Sequence, residues 1–221
     1  MSKHVLVIVS NHAELAGEPN GTYVPELTHA IAALTKHGIT YDLASPKGGA
    51  MPIYGEDADD ETKSMLADKA FAARLKTTMK LDDIDPDKYD GVFYPGGYGL
   101  LFDLVGNEKS AKITRALFDR GAPIAAVCHG PAALSSIEGP DGNPLVYCRK
   151  VTGFTREEEV AMNTLDKIPL VLEETMMDKG ATYSKKSKWK ELVIVDGQII
   201  TGQNPASAGG VGDALAKALQ A

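Results

Sequence analysis

The sequence predicts an α/β fold, a three-layer sandwich in which a mostly parallel sheet carries helices on both faces. Two observations carry this. Apolar runs of strand length alternate with amphipathic helical stretches along all 221 residues, the mark of β–α units layered around one sheet. Hydrophobic residues make up 43% of the chain and charged residues 24%, the balance of a globular chain able to bury a large core. No repeat, linker or low-complexity segment interrupts the alternation, so residues 1–221 are read as one domain.

Residues 5–9 form the first strand. A polar loop, 11–22, follows and contains Gly17-Glu18-Pro19-Asn20-Gly21. The first helix spans 24–37, where Val24, Leu27, Ile31 and Leu34 recur at three- and four-residue steps. Pro25 suits its first turn, and Gly38 ends it. Residues 39–44 are the second strand. The Gly-, Pro- and Asp-rich segment 46–60 is a surface loop bordering the site. Residues 61–80 read as one helix with Met65, Leu66, Ala70, Phe71 and Leu75 as its apolar stripe. A third strand, 90–94, runs into Pro95-Gly96-Gly97-Tyr98-Gly99. Asn107 caps a helix that reaches 120. Strand 123–127 then runs into Cys128. A short strand at 150–154, a short helix at 155–166 and two short strands around Asp196-Gly197 follow, and Asn204-Pro205 opens the last helix.

The bulk numbers exclude several roles. Net charge is −7 with no run of five or more Lys and Arg, so a nucleic-acid partner is not expected, because phosphate binding needs a basic patch. The densest basic stretch, Lys185-Lys186 with Lys188 and Lys190, reads as a solvated face. No apolar run approaches membrane-spanning length. The start of the chain resembles a signal peptide only superficially, since its apolar part is five residues with no small-residue cleavage site after it. The expected location is cytoplasmic. Two cysteines, Cys128 and Cys148, lack CxxC spacing, and neither a metal nor a cofactor is expected. Cys148 is read as a small buried hydrophobe.

The chemistry concentrates at Cys128. A strand that ends in Cys128-His129-Gly130 and leads into a helical stretch reads as a sharp elbow with a thiol at its apex. The new helix would aim its positive end at the sulfur and favour thiolate. Gly130 leaves room for tight backbone and for a substrate. Of the five histidines, none follows position 129, so the downstream His-x-Glu of a class I glutamine amidotransferase is absent and His129 is the remaining partner. It needs a carboxylate to fix its tautomer, and Glu157-Glu158-Glu159 can supply one. Thr155 and Glu158 also fit a capping box, which explains that acidic run without catalysis. His29 and His37 fall in the first helix as surface or satisfied core residues. Gly96-Gly97 offers N–H groups suited to an oxyanion hole, or simply a turn. Glu26 is either a helix-start acid or a proton shuttle beside the thiol.

Taken together, Ala125-Ala-Val-Cys-His-Gly-Pro131, Tyr94-Pro-Gly-Gly97, Leu101-Phe-Asp-Leu104, Val151-Thr-Gly-Phe-Thr155 and Thr201-Gly-Gln-Asn-Pro-Ala-Ser207 resemble the ThiJ/PfpI superfamily, that of the parkinsonism-associated deglycase. The last two motifs, with segments 46–60 and 21–26, are similar to its heat-shock chaperone and glyoxalase III subgroup. The resemblance implies a flavodoxin-like sandwich and a homodimer. It implies Cys128 as nucleophile, His129 and Glu159 as the other triad members, with Glu157 and Glu158 as alternatives, and Glu26 as the acid contacting the thiol. It places the oxyanion donors at Gly97 and His129. Tyr98 stands where relatives often carry histidine. The implied activity is that of a glutathione-independent glyoxalase III, or D-lactate dehydratase, acting on small dicarbonyls such as methylglyoxal and glyoxal. The rival readings are a stress chaperone, a cysteine redox sensor, a protein deglycase, and a cysteine peptidase or amidase.

Overall fold

The computed structural model describes residues 3–221. Seven strands form the central sheet: β1 (His4–Ile8), β2 (Thr40–Ser45), β3 (Met79–Lys80), β4 (Gly91–Tyr94), β5 (Ile124–Val127), β6 (Val193–Asp196) and β7 (Ile199–Gly202). Their order is β6-β7-β5-β4-β1-β2-β3, and every neighbouring pair is parallel except β6–β7. Strands β4, β5 and β7 are buried along their whole length, which is why they read as continuous apolar runs rather than alternating ones.

The helices are α1 (Val24–Lys36), α2 (Asp60–Ala67), α3 (Lys69–Lys76), α4 (Leu100–Asp103), α5 (Glu108–Asp119), α6 (Pro131–Leu134), α7 (Arg156–Met162), α8 (Leu172–Asp178) and α9 (Ala208–Gln220). The step from β1 to β2 runs toward one edge of the sheet, and the step from β4 to β5 toward the other. Right-handed crossovers therefore put α1 and α5 on opposite faces. Helix α9 packs along α1 and covers β5 and β7. The Cys128 and Gly96-Gly97 turns leave the carboxyl ends of adjacent strands, where open α/β sheets place their sites.

Two side-chain hydrogen-bond clusters hold this frame. Tyr94 is fully buried, and its hydroxyl lies 2.5 Å from Ser110 Oγ and 2.6 Å from Thr114 Oγ1, pinning α5 to β4. Asp103 accepts from the Ser10 hydroxyl at 2.8 Å and the Asn11 N–H at 2.7 Å, securing the chain after β1. The Asn107 cap forms as expected, accepting from the Lys109 and Ser110 N–H groups.

Several elements differ from the sequence reading. The helix expected over 61–80 is two helices, because Asp68 takes extended backbone and accepts from the Phe71 N–H at 2.8 Å, starting a new helix within the apolar stripe. Residues 79–80 leave it to become the sheet edge β3. Loop 46–60 carries a strand, Ile53–Tyr54, paired with Thr22–Tyr23. The strand expected at 150–154 shortens to Lys150–Val151, paired with Thr182–Tyr183. The helix expected to 166 stops at Met162, closed by Asn163 in the left-handed region. Helix α8 had no counterpart in the sequence reading. Cys148 is exposed rather than buried, in a left-handed turn beside exposed Tyr147.

Gly212 sets the approach of α9 to α1. A Cβ there would lie 2.7 Å from the Ala30 carbonyl oxygen and 2.8 Å from Ala33 Cβ. Gly212→Val therefore has to push two helices apart, and the expected loss is about 2 kcal/mol. Thermal unfolding checks this: Tm falls by roughly 4–8 °C for a chain of this size.

Candidate active site

Strand β5 delivers Cys128 to the sheet's carboxyl edge. The residue takes φ 59°, a left-handed conformation that L residues occupy at a cost of about 1–3 kcal/mol. Its main chain is held on both sides: the Cys128 N–H donates to the Gly202 carbonyl at 3.0 Å, and the Cys128 carbonyl accepts from the Phe154 N–H at 2.9 Å. The motif 151–155 thus anchors the elbow. Gly130 is needed because a Cβ there would press on the backbone of β4 and β5. The room it leaves is for main chain, not for a substrate.

His129 and Cys128, though adjacent, are in contact. Nδ1 lies 3.4 Å from Sγ, and Nε2 lies 2.7 Å from Glu159 Oε1. An ionised carboxylate only accepts, so Nε2 carries the hydrogen and Nδ1 is left to accept from the thiol. Burial alone would raise the Glu159 carboxyl. The hydrogen bond and charge of His129, with the Thr164 and Tyr98 hydroxyls, outweigh burial and hold it below its ordinary value. Thr164 Oγ1 donates to Oε2, and the Tyr98 hydroxyl lies 3.2 Å from the same oxygen. The imidazole is gripped between the rings of Tyr98 and Phe154, at 4.5 and 4.7 Å.

Of the three consecutive glutamates, Glu159 alone meets His129. Glu158 completes the capping box with Thr155. It also accepts from the Trp189 N–H at 2.9 Å and from the side-chain amides of Gln203 and Asn204 at 3.2 and 2.8 Å. Gln203 accepts the Lys186 N–H, and Asn204 donates to the Lys190 carbonyl. The motif 201–207 therefore straps the basic segment across the site. Glu157 lies at the surface beside Lys185. His29 and His37 pair with Asp59 and Asp213, away from the thiol.

Glu26, in the first turn of α1, is fully buried, and neither carboxylate oxygen has a partner in hydrogen-bond geometry. Burial drives its pKa from 4.5 up to about 8, against the smaller opposing pull of the Cys128 thiol and the Gly96 N–H. Gly96 packs so tightly on Glu26 and Cys128 that no Cβ would fit. The thiol does not follow the expectation of a stabilised thiolate. Helix α6 is only four residues long, and burial, then the carboxylates of Glu26, Glu159 and Glu158, raise the Cys128 pKa well above its usual value. Gly97, at φ 108°, and His129 carry N–H groups with no acceptor among the described residues.

These groups line a cavity of about 310 Å³ walled by Tyr23, Tyr54, Tyr98, Phe154, Met162 and Trp189, with Asn204, Pro205 and Ala206 at its side. No Lys or Arg lines it. Among the described residues no three His, Cys, Asp or Glu side chains are gathered as metal ligands. No helix among them is long and apolar enough to cross a membrane. Sequence reasoning missed the aromatic wall and the support of Glu159 by Tyr98 and Thr164. Only Tyr98 had a local signal, its place beside Gly96-Gly97.

Comparison with known proteins places the chain in a family. The DJ-1/PfpI family model matches residues 18–218. The chain is similar to Glyoxalase 3 of Candida albicans, 32% identical over 205 residues, 87% of this chain and 86% of that one. In structure it is similar to the Rapid Encystment Protein 24 KDa of Francisella tularensis, with a TM-score of 0.94 and 31% identity over 98% of this chain and 99% of that one. It is also similar to glyoxalase III from Candida albicans, with a TM-score of 0.90 and 30% identity over 98% and 97% of the two chains.

Burying Glu26 has a cost that depends on pH. A carboxyl whose folded pKa is about 8 instead of 4.5 favours folding while it is protonated. That contribution is complete below pH 4.5 and is lost as pH rises through about 8, a change of roughly 5 kcal/mol. Glu26→Gln keeps the shape and removes the titration. Its Tm advantage over the wild type is expected to be small at pH 5 and to widen steadily toward pH 9. A difference that stays constant with pH overturns the assignment of a charge-free resting Glu26.

Proposed function

The chain belongs to the DJ-1/PfpI family, and we propose that it is a glutathione-independent glyoxalase converting methylglyoxal and water to lactate. The observation that carries this reading is the unpartnered Glu26 carboxyl beside Cys128. Moving hydrogen between two adjacent carbons needs a base held next to the bound substrate, with a pKa near the working pH. Names of the relatives support the same reading.

The proposed path begins with attack of Cys128 Sγ on the aldehyde carbon. The thiol hydrogen passes by way of His129 Nδ1 to the aldehyde oxygen, giving a hemithioacetal. The N–H groups of Gly97 and His129 are the donors assigned to that oxygen. Glu159 keeps the His129 tautomer fixed and stabilises the ring when it is protonated. Ionised Glu26 takes the C1 hydrogen as a proton, which leaves an enediolate with its charge on the C2 oxygen, and returns that proton to C2. The C1 hydroxyl hydrogen passes to the C2 oxygen, and a lactoyl thioester with a C2 hydroxyl results. Water, positioned by His129, releases lactate and restores the thiol. Atoms and electrons balance without an external oxidant or reductant. A peptidase role is disfavoured because Cys128 is only 4% exposed at the end of an aromatic cavity.

Lactate formation from methylglyoxal, without glutathione, tests the reading. Cys128→Ala is expected to abolish turnover. Glu26→Gln is expected to lower it by ~10²-fold or more, as for loss of a general base. Because the base must be ionised, kcat/KM is expected to rise with pH through about 8. Full activity in Cys128→Ala would refute the nucleophile, and a flat profile from pH 6 to 9 would remove Glu26 as the base.

A further inference from the structure

The pairing of Thr22–Tyr23 with Ile53–Tyr54 brings two phenols to the cavity that holds Cys128 and Glu26. Their rings sit 5.1 Å apart with a tilt of 48°. The steps described above use neither. Tyr54 is the better placed of the two. The charges of Cys128 and Glu26 act on both phenols, and the Tyr98 backbone in the turn after β4 acts on Tyr54 alone. Among the described residues its hydroxyl hydrogen has no acceptor. A phenol in the wall of the thiol's cavity, its hydroxyl hydrogen without an acceptor, is a ready donor to a bound oxygen. Burial keeps it protonated, since it raises the pKa well above the ordinary phenol range.

We propose that Tyr54 is a catalytic residue whose hydroxyl donates a hydrogen bond to the C2 oxygen of the 2-oxoaldehyde as the enediol forms. This rests on the glyoxalase reading. When Glu26 removes the C1 hydrogen, the electron pair forms the C1–C2 double bond and negative charge moves to the C2 oxygen. A donor aimed there gains strength in the transition state and does little for the ground state. Glu26 then returns the hydrogen to C2, and the phenol leaves the cycle as it entered. Gly97 and His129 attend the other oxygen, so each oxygen of the dicarbonyl has its own donor.

Tyr54→Phe removes the hydroxyl and keeps the ring. Its kcat for methylglyoxal is expected to fall by ~10²-fold with KM changed little, as for loss of one oxyanion donor. Alkylation of Cys128 by iodoacetamide at the wild-type rate reports an intact nucleophile. A fluorinated tyrosine at 54 keeps the shape and acidifies the phenol, and the alkaline limb of kcat is expected to move to lower pH. Activity of Tyr54→Phe within about threefold of an active wild type overturns the proposal, as does an unmoved limb in the fluorinated protein. Loss in Tyr23→Phe with none in Tyr54→Phe assigns the donor to the neighbouring ring and overturns it as well. A wild type that makes no lactate fails the glyoxalase reading itself, and this proposal with it.

Discussion

The site depends on one backbone constraint, the left-handed turn at Cys128. A cysteine does not adopt this conformation unless its surroundings impose it. Here strand β7 holds its N–H, residue 154 holds its carbonyl, and Gly96 and Gly130 give up their side chains so that three turns can meet. The consequence is directional. In a continuing strand, residues 128 and 129 would face opposite sides of the sheet. With the turn, thiol and imidazole share one cavity, and adjacent residues act as a pair.

Around that pair the protein handles two buried acids differently. Glu159 is held by an imidazole and two hydroxyls and stays ionised. Glu26 has only the thiol and one N–H nearby and is pushed toward neutrality. In the proposed mechanism identical side chains thereby take separate tasks, one fixing a tautomer and the other exchanging hydrogen. Environment sets the division, as in other enzymes that run acid and base chemistry with paired carboxyls.

Much of this was legible in the sequence. The parallel strands declared themselves as unbroken apolar runs, and the Cys128 elbow followed from a strand meeting Cys-His-Gly. Glu159 emerged from the acidic run through the resemblance, since composition alone favoured a cap, and Glu158 does form that cap. What stayed hidden depended on distant partners. Tyr54 sits in a segment rich in Gly and Asp, and only its pairing with Tyr23 brings it to the thiol. Asp68 ended a helix whose apolar stripe continued past it. Cys148 looked buried because Val146-Tyr147 resembles a strand, while the chain turns there instead. The direction of the thiol's pKa was also out of reach, because it follows from burial and from carboxylates gathered by the fold.

The cavity wall is aromatic and carries no Lys or Arg. An uncharged dicarbonyl meets nothing there that opposes entry. A carboxylate is a different guest. It finds Glu159 ionised beneath the imidazole and Glu26 able to ionise beside it, with no counter-charge to hold it. A reaction that turns a neutral molecule into an anion in such a chamber ejects its own product. Turnover would then be little slowed by accumulated acid, and rising pH, by charging Glu26, would make departure easier still.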